Sequence, residues 1–120
     1  MPRRSRTEQQ IAHSARYRVQ VTRRGPDALV AALPGKIDNE ESEEVGRLLI
    51  ALVDAAVPVR LDLSQTSGLD TGAVAALFRM LRAARQASVP VTAHQPGPGV
   101  REALHTSGLD RAMDCTDQPA

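Results

Sequence analysis

Between Val59 and Leu81 the apolar period of the chain changes once, and that change commits it to a strand, a loop and a helix in that order. Val59, Leu61 and Leu63 alternate with Arg60 and Asp62, the two-residue period of a strand. Residues 64–70 are mostly small and polar. Val74, Leu77, Phe78 and Leu81 then recur at helical spacing and predict a buried stripe, with Arg79, Arg82 and Arg85 turned away from it. A strand that feeds a helix through a short polar loop is the repeating unit of α/β domains.

The flanking segments continue the alternation. Tyr17, Val19 and Val21 alternate with Arg18, Gln20 and Thr22; Gly25-Pro26-Asp27 supplies a turn; Ala28–Leu33 reads as the second strand of a hairpin. Pro34-Gly35 ends it, and Lys36, Ile37 and Asp38 lead into a helix from about Glu41 to Ala56. Its apolar face is Val45, Leu48, Leu49, Leu52, Val53 and Ala56, and Glu40, Glu41, Glu43 and Glu44 gather at its positive end. Val89–Ala93 is a further strand, and the turn-rich 95–99 segment precedes a short helix carrying Val100, Ala103 and Leu104, with Gly108 as its left-handed cap. The order predicts a single α/β domain: a mixed, mostly parallel β-sheet of about four strands with helices packed against it. The pentapeptide Thr-Ser-Gly-Leu-Asp occurs at 66–70 and again at 106–110. One copy precedes a helix and the other follows one, so the match is coincidence and not a repeat.

Composition narrows the function classes. With 120 residues the chain has the size of one domain, and with 42% apolar but 2% aromatic residues its core must be aliphatic. The net charge of +1 is uneven: residues 1–24 hold seven arginines and one acid (+6), which leaves −5 for the rest. An acidic body does not read as a nucleic-acid binder, and residues 1–15 read as a disordered basic tail. Cys115 is the single cysteine, and His13, His94 and His105 are scattered, so neither a disulfide nor a metal site is expected. No apolar run reaches the roughly 18 residues of a membrane span, and the Arg-rich start lacks the apolar stretch of a secretory signal. The expectation is a cytoplasmic protein with no cofactor and no membrane contact. Ser64, Ser67 and Thr71 have no evident His partner, so nucleophilic hydrolysis is unsupported, and an enzyme is not expected.

Asp70-Thr71 at the start of a helix has two readings. The first turn of a helix leaves backbone N–H groups without intrahelical partners, and either side chain can accept from them as a cap. The same N–H groups and the helix dipole also favour a phosphate on Thr71, which would add roughly −1.5 to −2 charges. Gly68 and Gly72 keep the approach to the hydroxyl open. The dipeptide alone does not decide between the two.

Four segments, taken in order, resemble the STAS-domain anti-sigma factor antagonist family over roughly residues 17–118, which implies one STAS domain at 16–118. They are LPGKID (33–38), similar to the family's Gly-Glu-Leu-Asp element; RLDLSQTSGLDTGAVAALFRML (60–81), similar to its phosphorylated strand–loop–helix; VPVTA (89–93); and VREALHTSGLDRAMDC (100–115), similar to its closing Leu-x-x-x-Gly-Leu segment. The resemblance implies an antagonist that binds a kinase-type anti-sigma factor, freeing a sigma factor, and that is switched off when the kinase phosphorylates Thr71. A serine/threonine phosphatase would reset it. The same resemblance places the partner-binding surface at Asp38, Asn39, Ser67, Gly68, Asp70, Gly72 and Val74, and admits a weak homodimer. The alternative is a non-switching STAS scaffold, or a subunit of a stress-signalling or lipid-transport complex. The family motif Asp-Ser-Ser/Thr-Gly is here Asp70-Thr71-Gly72-Ala73. A register that deletes one residue puts Asp70 in the phosphoacceptor place as a fixed negative charge. The ungapped register, with Thr71 there, keeps the Asp62-to-Asp70 spacing and the Val74, Leu77, Phe78, Leu81 stripe.

Overall fold

The computed structural model describes residues 19–24, 27–37 and 40–120. The expected tail at 1–15, Tyr17 and the Gly25-Pro26 pair of the first turn lie outside the described residues. Among the described residues, seven strands and four helices follow in the order β1 (Gln20–Arg24), β2 (Ala28–Ala32), β3 (Gly35–Ile37), α1 (Ser42–Val53), β4 (Val59–Asp62), β5 (Thr66–Leu69), α2 (Thr71–Ala87), β6 (Val91–His94), α3 (Pro98–Ser107), α4 (Leu109–Ala112) and β7 (Asp114–Thr116).

The main sheet has the strand order β1-β2-β4-β6-β7. Only the β1–β2 hairpin is antiparallel, with Gln20 opposite Ala32 and Arg24 opposite Ala28. The pairings β2–β4, β4–β6 and β6–β7 are parallel. This is the mixed, mostly parallel sheet that the element order implies, with a fifth strand at its edge. Val59, Leu61 and Leu63 are fully buried, as a strand with neighbours on both edges requires. A separate two-stranded parallel sheet joins β3 to β5. Neither strand is legible as such in the sequence, because Gly35-Lys36-Ile37 and Thr66-Ser67-Gly68-Leu69 show no apolar–polar alternation.

Helices α1 and α2 pack against each other, and glycine sets how closely. A Cβ on Gly46 would lie 3.2 Å from the Ala76 Cβ and 3.0 Å from Arg79 Nη2, so the bare backbone lets the helices approach. That approach rotates α2 relative to the sequence expectation. Its buried residues are Ala73, Ala76, Leu77, Met80 and Ala84. Val74 and Leu81 are half-buried, and Phe78, expected in the stripe, is 40% exposed. Small residues at 73, 76 and 84 form the inner face because a tight interhelical seam has no room for a ring. The stripe that supports the ungapped register therefore rests on Leu77, with Val74 and Leu81 at its margins.

Helix α1 ends at Val53, one turn before the expected Ala56, whose φ of +56° lies in the left-handed region. Val45, Leu48, Leu49, Leu52 and Val53 are buried as their spacing predicts, whereas Ala56 is exposed. Gly108 takes φ +86° at the end of α3, the left-handed cap expected of it.

Candidate functional site

The β3–β5 pair positions the loop in front of α2. Thr66 begins β5; its Oγ1–H donates to the Leu33 carbonyl, and its N–H donates to the Leu63 carbonyl at 3.1 Å. Gly35 N–H donates to the Gln65 carbonyl at 2.8 Å. Asp62 Oδ1 accepts from Ser64 N–H at 3.0 Å and turns the chain out of β4, so its role is local. The chain then runs along β3, with Lys36 opposite Gly68 and Ile37 opposite Leu69, and Asp70 N–H donates to the Ile37 carbonyl at 3.4 Å.

At this point the helix begins. Asp70 is the residue before it, extended at φ −73° and ψ 168°, and its carbonyl accepts the first helical bond from Val74 N–H at 3.0 Å. Its carboxylate makes no capping bond. It lies instead 3.4 Å from Lys36 Nζ. The capping reading of Asp70 is thus not realised: the β3–β5 pairing supplies a cation that the local sequence does not. Thr71 is the first helical residue and is exposed, and its hydroxyl makes no hydrogen bond to a described residue. Helix polarity favours negative charge at this end, and no acid sits in the first turn.

Of the residues expected to form the surface, the structure brings Ser67, Gly68, Asp70, Thr71, Gly72 and Val74 together on β5 and the start of α2. Ser67 is exposed, Gly68, Asp70 and Gly72 are half-exposed, and Val74 packs partly on the core. Asp38 and Asn39 lie outside the described residues. Lys36 belongs to the site and was not among the expected residues. Its signal was its place in LPGKID, where the similar family element carries an acid. An acid there would repel Asp70, and this lysine attracts it.

The remaining titratable groups lie elsewhere. His94 is buried at the end of β6, with Nε2 2.7 Å from Thr92 Oγ1 and Nδ1 3.1 Å from the Gln118 carbonyl, so it ties the C-terminal residues to the sheet. His105 Nδ1 is 2.9 Å from Asp110 Oδ2 on the surface. Burial, with Asp110 and then Asp114 adding, pushes the Cys115 thiol above its usual range against the opposing pull of Arg101. Among the described residues, no helix is long and apolar enough to cross a membrane.

The family model described as "Mlab, STAS domain" matches residues 20–114. The chain belongs to this STAS domain family. Solved structures share the fold at low identity. A Thermotoga maritima protein described as a candidate anti-sigma factor antagonist superposes with a TM-score of 0.76 at 13% identity, covering 88% of this chain and 92% of its own. An anti-sigma factor antagonist of Mycobacterium paratuberculosis gives 0.69 at 22% identity, covering 83% and 85%. The Bacillus cell-fate determinant SpoIIAA, an anti-sigma factor antagonist, gives 0.71 at 20% identity in its unphosphorylated form, over 83% of this chain and 89% of its own. Its phosphorylated form gives 0.65 at 19% identity, over 83% and 92%. No curated protein sequence matches the chain. The STAS domain thus has several anti-sigma factor antagonists among its structural neighbours, and its five-stranded sheet and helices follow their architecture.

Proposed function

We propose that this STAS domain is a cytoplasmic anti-sigma factor antagonist, a binding partner and substrate and not an enzyme. It grips a kinase-type anti-sigma factor through the surface of Ser67, Gly68, Asp70, Gly72 and Val74, extended by Asp38 and Asn39. The observation that carries this reading is the Thr71 hydroxyl, exposed on the first residue of a 17-residue helix. In the switching step the Thr71 oxygen attacks the γ-phosphorus of Mg-ATP held by the kinase. The bond to the β,γ-bridging oxygen breaks, ADP leaves, and the hydroxyl proton passes to the kinase's base. The product is a near-dianion beside the Asp70 carboxylate, and Lys36 neutralises only part of the pair. A surface that accepted an acid-tolerant partner is then strongly negative, so the complex is driven apart; a serine/threonine phosphatase restores it.

Incubation with the cognate kinase and ATP adds one phosphate, and Thr71→Ala abolishes it. Thr71→Glu weakens partner binding at least tenfold in a titration, whereas Thr71→Ala leaves it within about twofold. A Thr71→Ala chain that still gains phosphate, or equal affinities for the two variants, refutes the switch.

A second reading is a non-switching STAS subunit of a lipid-transport or stress-signalling assembly. It is favoured by the family model, whose description is Mlab rather than an antagonist, and by the Asp70-Thr71-Gly72-Ala73 departure from the motif. Recovery of a transporter ATPase in place of a kinase as the stable partner decides for it.

A further inference from the structure

Beyond Thr71, the molecule has a groove that neither reading uses. It lies between the C-terminal half of α2 and the β6–β7 edge of the sheet, with a volume of about 620 Å³. Its position follows from the connections. Helices α1 and α2 lie side by side, whereas α3 packs on β5 and α4. The four-residue α4 touches α2 there, and its Arg111 and Ala112 line the slot that is left.

The lining is specific. Exposed Phe78 and half-buried Leu81 supply apolar surface over the buried Met113, and Arg82, Arg85 and Arg111 complete the lining. Phe78 is the one large hydrophobic side chain exposed among the described residues of a chain with 2% aromatics. All three arginines are exposed, and none of their guanidiniums has an ion-pair or hydrogen-bond partner among the described residues. Helix α2 carries three arginines and no acid in its 17 residues. Aromatic residues, phenylalanine included, and arginine are both enriched at protein interfaces. Asp114 is the single acid in the lining.

We infer that this groove binds an acidic amphipathic helix of a partner protein, its apolar stripe on Phe78 and Leu81 and its carboxylates on Arg82, Arg85 and Arg111. Charge complementarity selects this occupant. Residues 1–18 of the chain hold five arginines and one acid, so that segment is repelled. A two-fold pairing of this face would bring like arginines together. At 1.5 Å per residue, Phe78 and Arg85 lie about 10 and 21 Å along α2 from Thr71, so the groove and the switch surface can be occupied together.

The test is an NMR titration of the full chain with a synthetic 18-residue helical peptide bearing a leucine stripe flanked by glutamates. One control peptide has every glutamate replaced by lysine, and phosphatidylglycerol vesicles form a third arm. The acidic peptide should shift the amides of residues 78–85 and 111–114 saturably. Phe78→Ala, and separately Arg82→Glu with Arg85→Glu, should weaken it at least tenfold, while Arg101→Glu on α3 changes it less than twofold. The lysine peptide should bind at least tenfold less tightly. Equal binding of the two peptides, shifts centred elsewhere, vesicles engaging these amides in place of the peptide, or a dimer of the chain closing the groove would each overturn the assignment.

Discussion

Replacing Thr66 with valine keeps the shape of the side chain and removes the hydroxyl that donates to the Leu33 carbonyl, 33 positions earlier. Leu33 is 1% exposed and Thr66 is 7% exposed, so water cannot readily take the place of the lost donor. Stranding a buried carbonyl costs about 1–3 kcal/mol, and a methyl group pressed on that oxygen adds repulsion. Thr66→Ser keeps the donor and loses one methyl, worth about 0.8 kcal/mol by transfer. The order of stability is therefore wild type, then serine, then valine, whereas hydrophobicity alone would put valine first. Urea unfolding followed by far-UV circular dichroism should move the midpoint down for valine with the m-value unchanged. For a domain of this size a 2 kcal/mol loss lowers Tm by roughly 6–12 °C. A Thr66→Val chain as stable as Thr66→Ser would show that the Thr66–Leu33 hydrogen bond contributes nothing, and would refute the reasoning.

Two further outcomes follow from local geometry. Gly108→Ala at φ +86° meets no atom within 4 Å, so its cost is backbone strain alone, about 1–2 kcal/mol in the same unfolding experiment; an unchanged midpoint would contradict the cap. Cys115, whose thiol burial pushes above its usual range, should react with iodoacetamide at neutral pH more slowly than a free cysteine peptide, with its rate–pH profile displaced to higher pH. In the unfolded chain the rate should match the peptide.

Long periodic segments reveal most of this fold. Helix α1 shows in the sequence because Val45, Leu48, Leu49, Leu52 and Val53 repeat over three turns, and β4 because three apolar residues alternate with charges. The position of Thr71 at the start of α2 follows from the change of period before it. Phe78 was misplaced because the 3.6-residue pattern counts large apolar residues, whereas the α1–α2 seam selects small ones: Gly46 facing Ala76. The Lys36–Asp70 pair was hidden because it joins residues on two short strands, which only the β3–β5 pairing brings within 3.4 Å.

The two copies of Thr-Ser-Gly-Leu-Asp separate what is local from what is not. At 66–70 the five residues form strand β5 and the residue before α2; at 106–110 they form the end of α3, a left-handed glycine and the start of α4. Sequence alone determined the frame around them: the long periodic helices and the main-sheet strands β2, β4 and β6, the aliphatic core, and the hydroxyl at a helix start. Only the tertiary structure decided what the pentapeptide became. The first copy finds the Leu33 carbonyl and the β3 backbone as hydrogen-bond partners, and the second continues a helix whose apolar face already holds Val100 and Leu104. Intrinsic preferences over five residues differ by less than one such set of buried contacts, so the surroundings choose.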